Sequence, residues 1–207
     1  KSYLSRAVKE GVVYDAGRGW YSRLSTPVKL DPAPLKPLVR AIEKAFPLLD
    51  FTVWSTGQLN PWMHHLIAKP VAFVNVPEEA LEPVAEKLED LGWTVLSDPD
   101  AAEGNKRLKP GERMVVVRRA RQRIPEPMGR QARMEQVLVE VLLESVQLPI
   151  MDPHEAKNTV REVLESGLLQ VSELGRIEKV ELATGKVETL YMAGPNHKLN
   201  GQNELVF

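Results

Sequence analysis

VAFVNVPEEALEPVAEKLEDLGWTVL, residues 71–96, sets an apolar run, a proline, a helical stretch and a second apolar run in that order. Residues 71–76 read as a strand rich in β-branched and aromatic side chains. Pro77 sits where proline opens a helix, and Glu78 and Glu79 suit the positive end of a helix dipole. The helix runs to Leu91, Gly92 ends it, and residues 93–96 form the next strand. This succession decides the fold class: helices alternating with strands predict an α/β (α+β) protein with a small mixed or partly parallel sheet.

On the N-terminal side, Leu35, Leu38, Val39, Ile42 and Phe46 trace one face of a helix that Pro47 stops, and residues 51–54 form a strand. Residues 61–67 read as a short helix carrying His64 and His65. Residues 26–37 hold four prolines and read as an extended linker. On the C-terminal side, residues 113–117 supply a further strand after a polar loop over 98–111. A second proline-containing loop follows at 124–129. Met134, Val137, Leu138, Val141 and Leu142 then share a helical face, and Asp152 caps a last helix that ends near Gly167. These divisions give a winged-helix remnant at 1–25, a linker at 26–37 and a central α/β domain at 38–125. A helical region follows at 126–176, read as a third unit, and a hairpin and tail at 177–207.

The chain has 207 residues, 43% hydrophobic and 27% charged, enough to bury a sizeable core. It contains no cysteine, which excludes disulfides and thiolate metal sites. No apolar run approaches a membrane span and no signal-peptide pattern opens the chain, so a cytoplasmic protein is expected. Because the chain starts with Lys1 inside a recognisable pattern, the natural N-terminus is expected further upstream. The net charge of −1 hides blocks of +3 over residues 1–24, −5 over 25–100, +7 over 101–133 and −6 over 134–207. Two basic surfaces could therefore meet phosphate or an acidic protein.

The first basic block is the more specific. In SYLSRAVKEGVVYDAGRGWYSRL, residues 2–24, Leu4, Ala7 and Val8 lie at helical spacing and Gly11 stands where a helix end needs positive φ. Strand-like residues 12–14 and 20–21 flank Ala16-Gly17-Arg18-Gly19, the signature of a β-hairpin. A helix followed by a two-stranded wing with arginine at its tip is the second half of a winged helix-turn-helix. In that reading Ser2 and Tyr3 lie near the helix start where base edges are read, Arg6 and Lys9 meet phosphates, Arg18 is held out by two glycines, and Arg23 completes the DNA-binding set. A hairpin with a basic tip that serves only solubility is the plainer alternative. The second block offers Arg118, Arg119, Arg121 and Arg123 at the end of a strand, a patch for DNA or a partner, or a solvated loop.

Catalytic motifs are sparse. There is no P-loop, no GxGxxG and no GxSxG. His64 and His65 are adjacent, about 100° apart on a helix, so they cannot both face one ion; one buried and one exposed histidine is expected. Asp50 and Asp98 flank strands and carry the one enzymatic alternative, a metal-dependent nuclease or nucleotidyltransferase-like activity. No metal, cofactor or catalytic residue is assigned.

SYLSRAVKEGVVYDAGRGWYSR, residues 2–23, resembles the wing half of the winged-helix domain in the AbiEi family of type IV antitoxins, through Tyr3, Leu4, Arg6, Lys9, Gly11, Gly17, Arg18, Gly19 and Tyr21. FPLLDFTVWSTGQLNPWMHHLIAKPVAFVNV, residues 46–76, is similar to the central domain of AbiEi-like proteins through Phe46-Pro47, Trp54-Ser55-Thr56, Leu59-Asn60, Met63 and His65. The likeness covers about residues 1–165 and none of the tail. It implies a DNA-binding transcriptional autorepressor that acts on the operator upstream of its own gene and opposes a partner nucleotidyltransferase toxin, without catalysis of its own. Two features depart from the family: the first helices of the winged helix are absent, and Asp15 stands where a basic residue is usual. One acidic side chain near phosphates weakens the electrostatic attraction without abolishing it. A non-catalytic protein-interaction module is the remaining alternative.

Overall fold

The computed structural model describes residues 3–17, 20–22, 29–109, 111, 113–120 and 129–165. The expected hairpin and tail at 177–207 lie outside them. Twelve helices and strands are described: α1 (Tyr3–Lys9), β1 (Tyr14–Gly17), β2 (Trp20–Ser22), α2 (Lys36–Ala45), β3 (Thr52–Ser55), β4 (Ala72–Val76), α3 (Leu81–Asp90), β5 (Thr94–Ser97), α4 (Ala101–Arg107), β6 (Met114–Arg119), α5 (Met134–Gln147) and α6 (Pro153–Glu165). The chain is α/β, as the strand–helix–strand unit at its centre requires.

β3, β4, β6 and β5 form one mixed sheet in that order. β3 runs antiparallel to β4, whereas β4, β6 and β5 are mutually parallel. The chain leaves β4, crosses through α3 to the edge strand β5, then returns through α4 to β6. The two crossovers travel in opposite directions along the sheet. Because such connections are right-handed, the two helices fall on opposite faces. Pro77 opens a 3-10 turn, Glu78–Ala80, that continues into α3, and Gly92 at φ +81 turns the chain out of it.

Side chains alternate across the sheet, so each face builds its own core. On one face Val53, Val74, Val76, Val95, Val115 and Val117 pack with Leu38 and Ile42 of α2 and Val84 and Leu88 of α3. On the other, Trp54, Phe73, Leu96, Met114 and Val116 pack with Val137, Leu138 and Val141 of α5 and Ala156, Val160 and Val163 of α6. Trp54 and Phe73, paired in register on β3 and β4, stack with ring centroids 4.3 Å apart. The result is a three-layer helix–sheet–helix sandwich.

Three expectations need correction. Helices α5 and α6 are not a separate unit: they are the second helical layer and share a core with the strands. Where it is described, the proline-rich segment is not a free linker. Leu30 and Leu35 are buried, residues Ala33–Leu35 form a 3-10 turn leading into α2, and Gln58 Nε2 donates to the Asp31 carbonyl at 2.7 Å. The polar loop at 98–111 contains α4, whose start is fixed by the Asp100 carboxylate accepting from the Glu103 N–H at 2.8 Å. Capping by aspartate is worth about 1 kcal/mol. Gly104 in α4 lies against Leu148, so that a Cβ there would come within 2.1 Å of Leu148 Cδ2.

Candidate nucleic-acid interface and the polar end of the sheet

At the N-terminus the predicted helix and hairpin are both present. α1 ends at Gly11, whose φ of +69 lies in the region that a side chain disfavours. β1 and β2 pair antiparallel, Tyr14 with Ser22, Asp15 with Tyr21 and Gly17 with Trp20, with a bulge between Asp15 and Gly17. Gly17 is thus the last paired residue of its strand rather than part of the turn, leaving Arg18 and Gly19 between the paired positions. Tyr3 is 85% exposed, and Lys9 is exposed. Arg6 is exposed too, with its Nε 2.8 Å from Glu10 Oε1. Such a surface pair contributes little, on the order of 0.5 kcal/mol, so the guanidinium can exchange it for another anion. Ser2, Arg18, Arg23, Arg121 and Arg123 lie outside the described residues.

The second basic patch changes character. Arg118 follows Met114 and Val116 on the α5 face of β6, and its side chain is only 11% exposed. It places Nη2 2.6 Å and Nε 3.2 Å from Glu144 Oε2, and Nη1 donates to the Pro99 carbonyl at 2.6 Å. Asp98 Oδ1 lies 3.3 Å away. Arg118 is therefore a buried tie between β6, α5 and the end of β5, not a side chain offered to DNA or a partner. Arg119 points to the other face, half exposed, 3.1 Å from Glu78 Oε1 and 3.9 Å from Asp98 Oδ2.

Arg118 is one end of a polar row that crosses the sheet. Thr52 pairs in register with Asn75, and Asn75 with Arg118, so all three face α5. Along α5, residues four apart share a stripe, and Gln136, Glu140 and Glu144 meet that row. All three are buried. Asn75 Nδ2 donates to both Glu140 oxygens at 2.9 and 3.0 Å, and Gln136 Nε2 donates to Glu140 Oε1 at 2.8 Å. The row lies toward the carboxyl ends of β4 and β6, the end of the strands at which open α/β sheets commonly bind ligands. Here its groups bond one another, tying α5 to the sheet.

The carboxylates of the enzymatic alternative are not brought together. Asp50 is 93% exposed and sits 3.2 Å from Arg130 Nη1. It precedes β3, while Asp98 follows β5, three strand spacings or about 14 Å across the sheet. Among the described residues no group of three or more His, Cys, Asp or Glu side chains is placed to hold a metal ion. His64 and His65 are both exposed, correcting the expectation that one is buried, and residues 63–67 are irregular: a 3-10 helix spans Thr56–Trp62 instead. His64 Nε2 lies 4.0 Å from Glu162 Oε1. No described helix is long and apolar enough to cross a membrane.

A family model covers residues 1–177, taking in both the helix–hairpin and the sandwich. The chain belongs to DUF6577, a family of unknown function. No curated protein and no solved structure matches the chain. In this DUF6577 chain the polar row went unread in the sequence, because Asn75 sits within an apolar strand and the carboxylates of α5 look like an ordinary wet helix face. The signal was the four-residue spacing of Gln136, Glu140 and Glu144 beside a strand carrying arginine. Arg130 was also missed: its guanidinium lies 4.7 Å over the Phe51 ring and reaches Glu43 and Asp50.

Proposed function

We propose that this protein is a DNA-binding transcriptional regulator of the antitoxin type, in which α1 reads the major groove and the β1–β2 hairpin reaches the backbone or minor groove beside it. One observation carries the reading: a helix closed by Gly11 at positive φ runs directly into an antiparallel hairpin in which Gly17 pairs with Trp20. The exposed Tyr3, Arg6 and Lys9 on α1 support it, since they offer an aromatic edge and two cations to a groove. The resemblance of residues 2–23 and 46–76 to AbiEi-like proteins extends the proposal. The target DNA is the operator upstream of the protein's own gene, and the protein opposes a nucleotidyltransferase toxin in the cytoplasm without catalysing a reaction itself.

The test is fluorescence anisotropy of the protein with DNA from upstream of its gene, at 50 and 200 mM salt, beside the Arg18→Ala variant. Tight binding should fall steeply with salt as phosphate contacts release counterions. Arg18→Ala should weaken it and reduce the salt slope by about one. Absence of binding, or a salt slope that the substitution leaves untouched, would overturn the reading. Growth rescue on co-expression with the neighbouring gene's product tests the antitoxin part separately.

A further inference from the structure

Residues 130–132 close the sheet beyond β3, but they leave an edge of their own. The Val53 N–H donates to the Arg130 carbonyl at 2.8 Å, and the Ala132 N–H donates to the Val53 carbonyl at 2.9 Å. Gln131 is the bridge partner of Val53 in this parallel pairing, so its own N–H and C=O point away from β3. Neither finds a backbone partner among the described residues. The side-chain Nε2 of Gln131 is likewise buried without a hydrogen-bond partner there. Buried amide groups are seldom left unmet, and a sheet edge with open donors and acceptors is a template for another strand.

This edge borders a groove of about 700 Å³. α2 forms the other wall, since Lys36, Val39, Arg40 and Glu43 recur at helical spacing and line it together. Leu30, Leu35, Val39, Val53 and Ala132 give it an apolar floor. Its cations are Lys29, Lys36, Arg40 and Arg130 against one acid, Glu43. Arg130 is engaged by Glu43, Asp50 and the Phe51 ring, whereas Lys29, Lys36 and Arg40 have no ion-pair partner among the described residues. Among the described residues no aromatic ring lines the groove to stack a base.

We propose that this groove docks an extended acidic peptide segment of a partner protein, which adds as a strand to the edge at residues 130–132. Its apolar side chains on one face would meet Leu35, Val39 and Val53, and the carboxylates on its other face would lie in the long-range field of Lys29, Lys36 and Arg40. Strand addition to a helix-flanked sheet edge draws affinity from main-chain bonds and selectivity from alternate side chains. The long-range attraction between these three cations and a carboxylate-bearing segment adds rate and register. The inference does not depend on the reading of α1 and the hairpin, which the test leaves intact.

The probe is a fluorescein-labelled octapeptide of alternating valine and glutamate, titrated into the full chain and followed by anisotropy and by the Gln131 amide resonance. A valine–lysine octapeptide and a valine–glutamate octapeptide with alternate N-methylated amides serve as controls. The valine–glutamate peptide should bind and shift the Gln131 amide. Affinity should fall at least tenfold for N-methylation, and by as much for the Lys36→Glu, Arg40→Glu double variant, whose exposed positions should leave the melting temperature unchanged. The lysine peptide should not bind. Absence of binding at millimolar peptide, or equal binding by the N-methylated peptide or the double variant, would overturn the proposal. So would a wild-type dimer dissociated by the double substitution, which would make a second copy the occupant, or a Gln131 shift produced by adenosine monophosphate and not by the peptide.

Discussion

Arg118 shows how much a single side chain can mislead when it is counted as charge. It belongs to a run of four arginines over residues 118–123, yet the alternation of β6 turns it inward, where Glu144, itself only 3% exposed, neutralises it. Burying two charges is costly, and their attraction in a low-dielectric interior roughly repays that cost only when the geometry is good. The two contacts to Glu144 Oε2 and the bond to the Pro99 carbonyl supply that geometry. Removing one partner leaves the other stranded. Glu144→Leu should therefore destabilise the protein by an amount near the lower end of about 3–5 kcal/mol, because Arg118 keeps Asp98 nearby. Adding Arg118→Met to that variant should restore part of the loss. Urea denaturation of the two variants checks this, and a double variant less stable than Glu144→Leu would contradict it.

At the scale of elements, α4 is the informative case. Seven residues with no apolar stripe gave no periodic signal, and the segment read as a loop. Its helix exists because Asp100 caps it and because Gly104 lets it approach Leu148 closely. Alanine at position 104 would raise helix propensity by about 1 kcal/mol, but its Cβ would press on a buried leucine, an overpacking that costs about 1–3 kcal/mol. Gly104→Ala should be destabilising by about 1 kcal/mol in a wild-type background. The same substitution should turn stabilising beside Leu148→Ala, where the space has been opened. A double-mutant cycle by thermal or urea unfolding reads the change of sign.

For the whole molecule, the sandwich closes only when α5 and α6 cover the face carrying Trp54, Phe73, Leu96, Met114 and Val116. A fragment ending at residue 128 would expose that face and lose the pairing of residues 130–132 with β3. It should therefore bind a hydrophobic dye such as ANS and unfold without a cooperative transition, whereas the chain through residue 165 should fold. A cooperative, dye-free fragment would restore the reading of residues 126–176 as a third unit.

Local chemistry was legible in the chain itself. Proline, glycine and the periods of 2 and 3.6 fixed α2, β3, β4, α3 and β5 to within a few residues, and the helix with its hairpin at the N-terminus, because those signals act between neighbours in sequence. The α/β class followed from their alternation. Tertiary structure alone decided that β6 lies between β4 and β5, that α5 is a layer of the sandwich rather than a unit beside it, and that Leu30 is core rather than linker. It also decided the fate of charges. Arg118 and Glu144 are 26 residues apart and Asn75 and Glu140 are 65 apart, and whether such groups face water or one another depends on which surfaces pack, which no local pattern specifies.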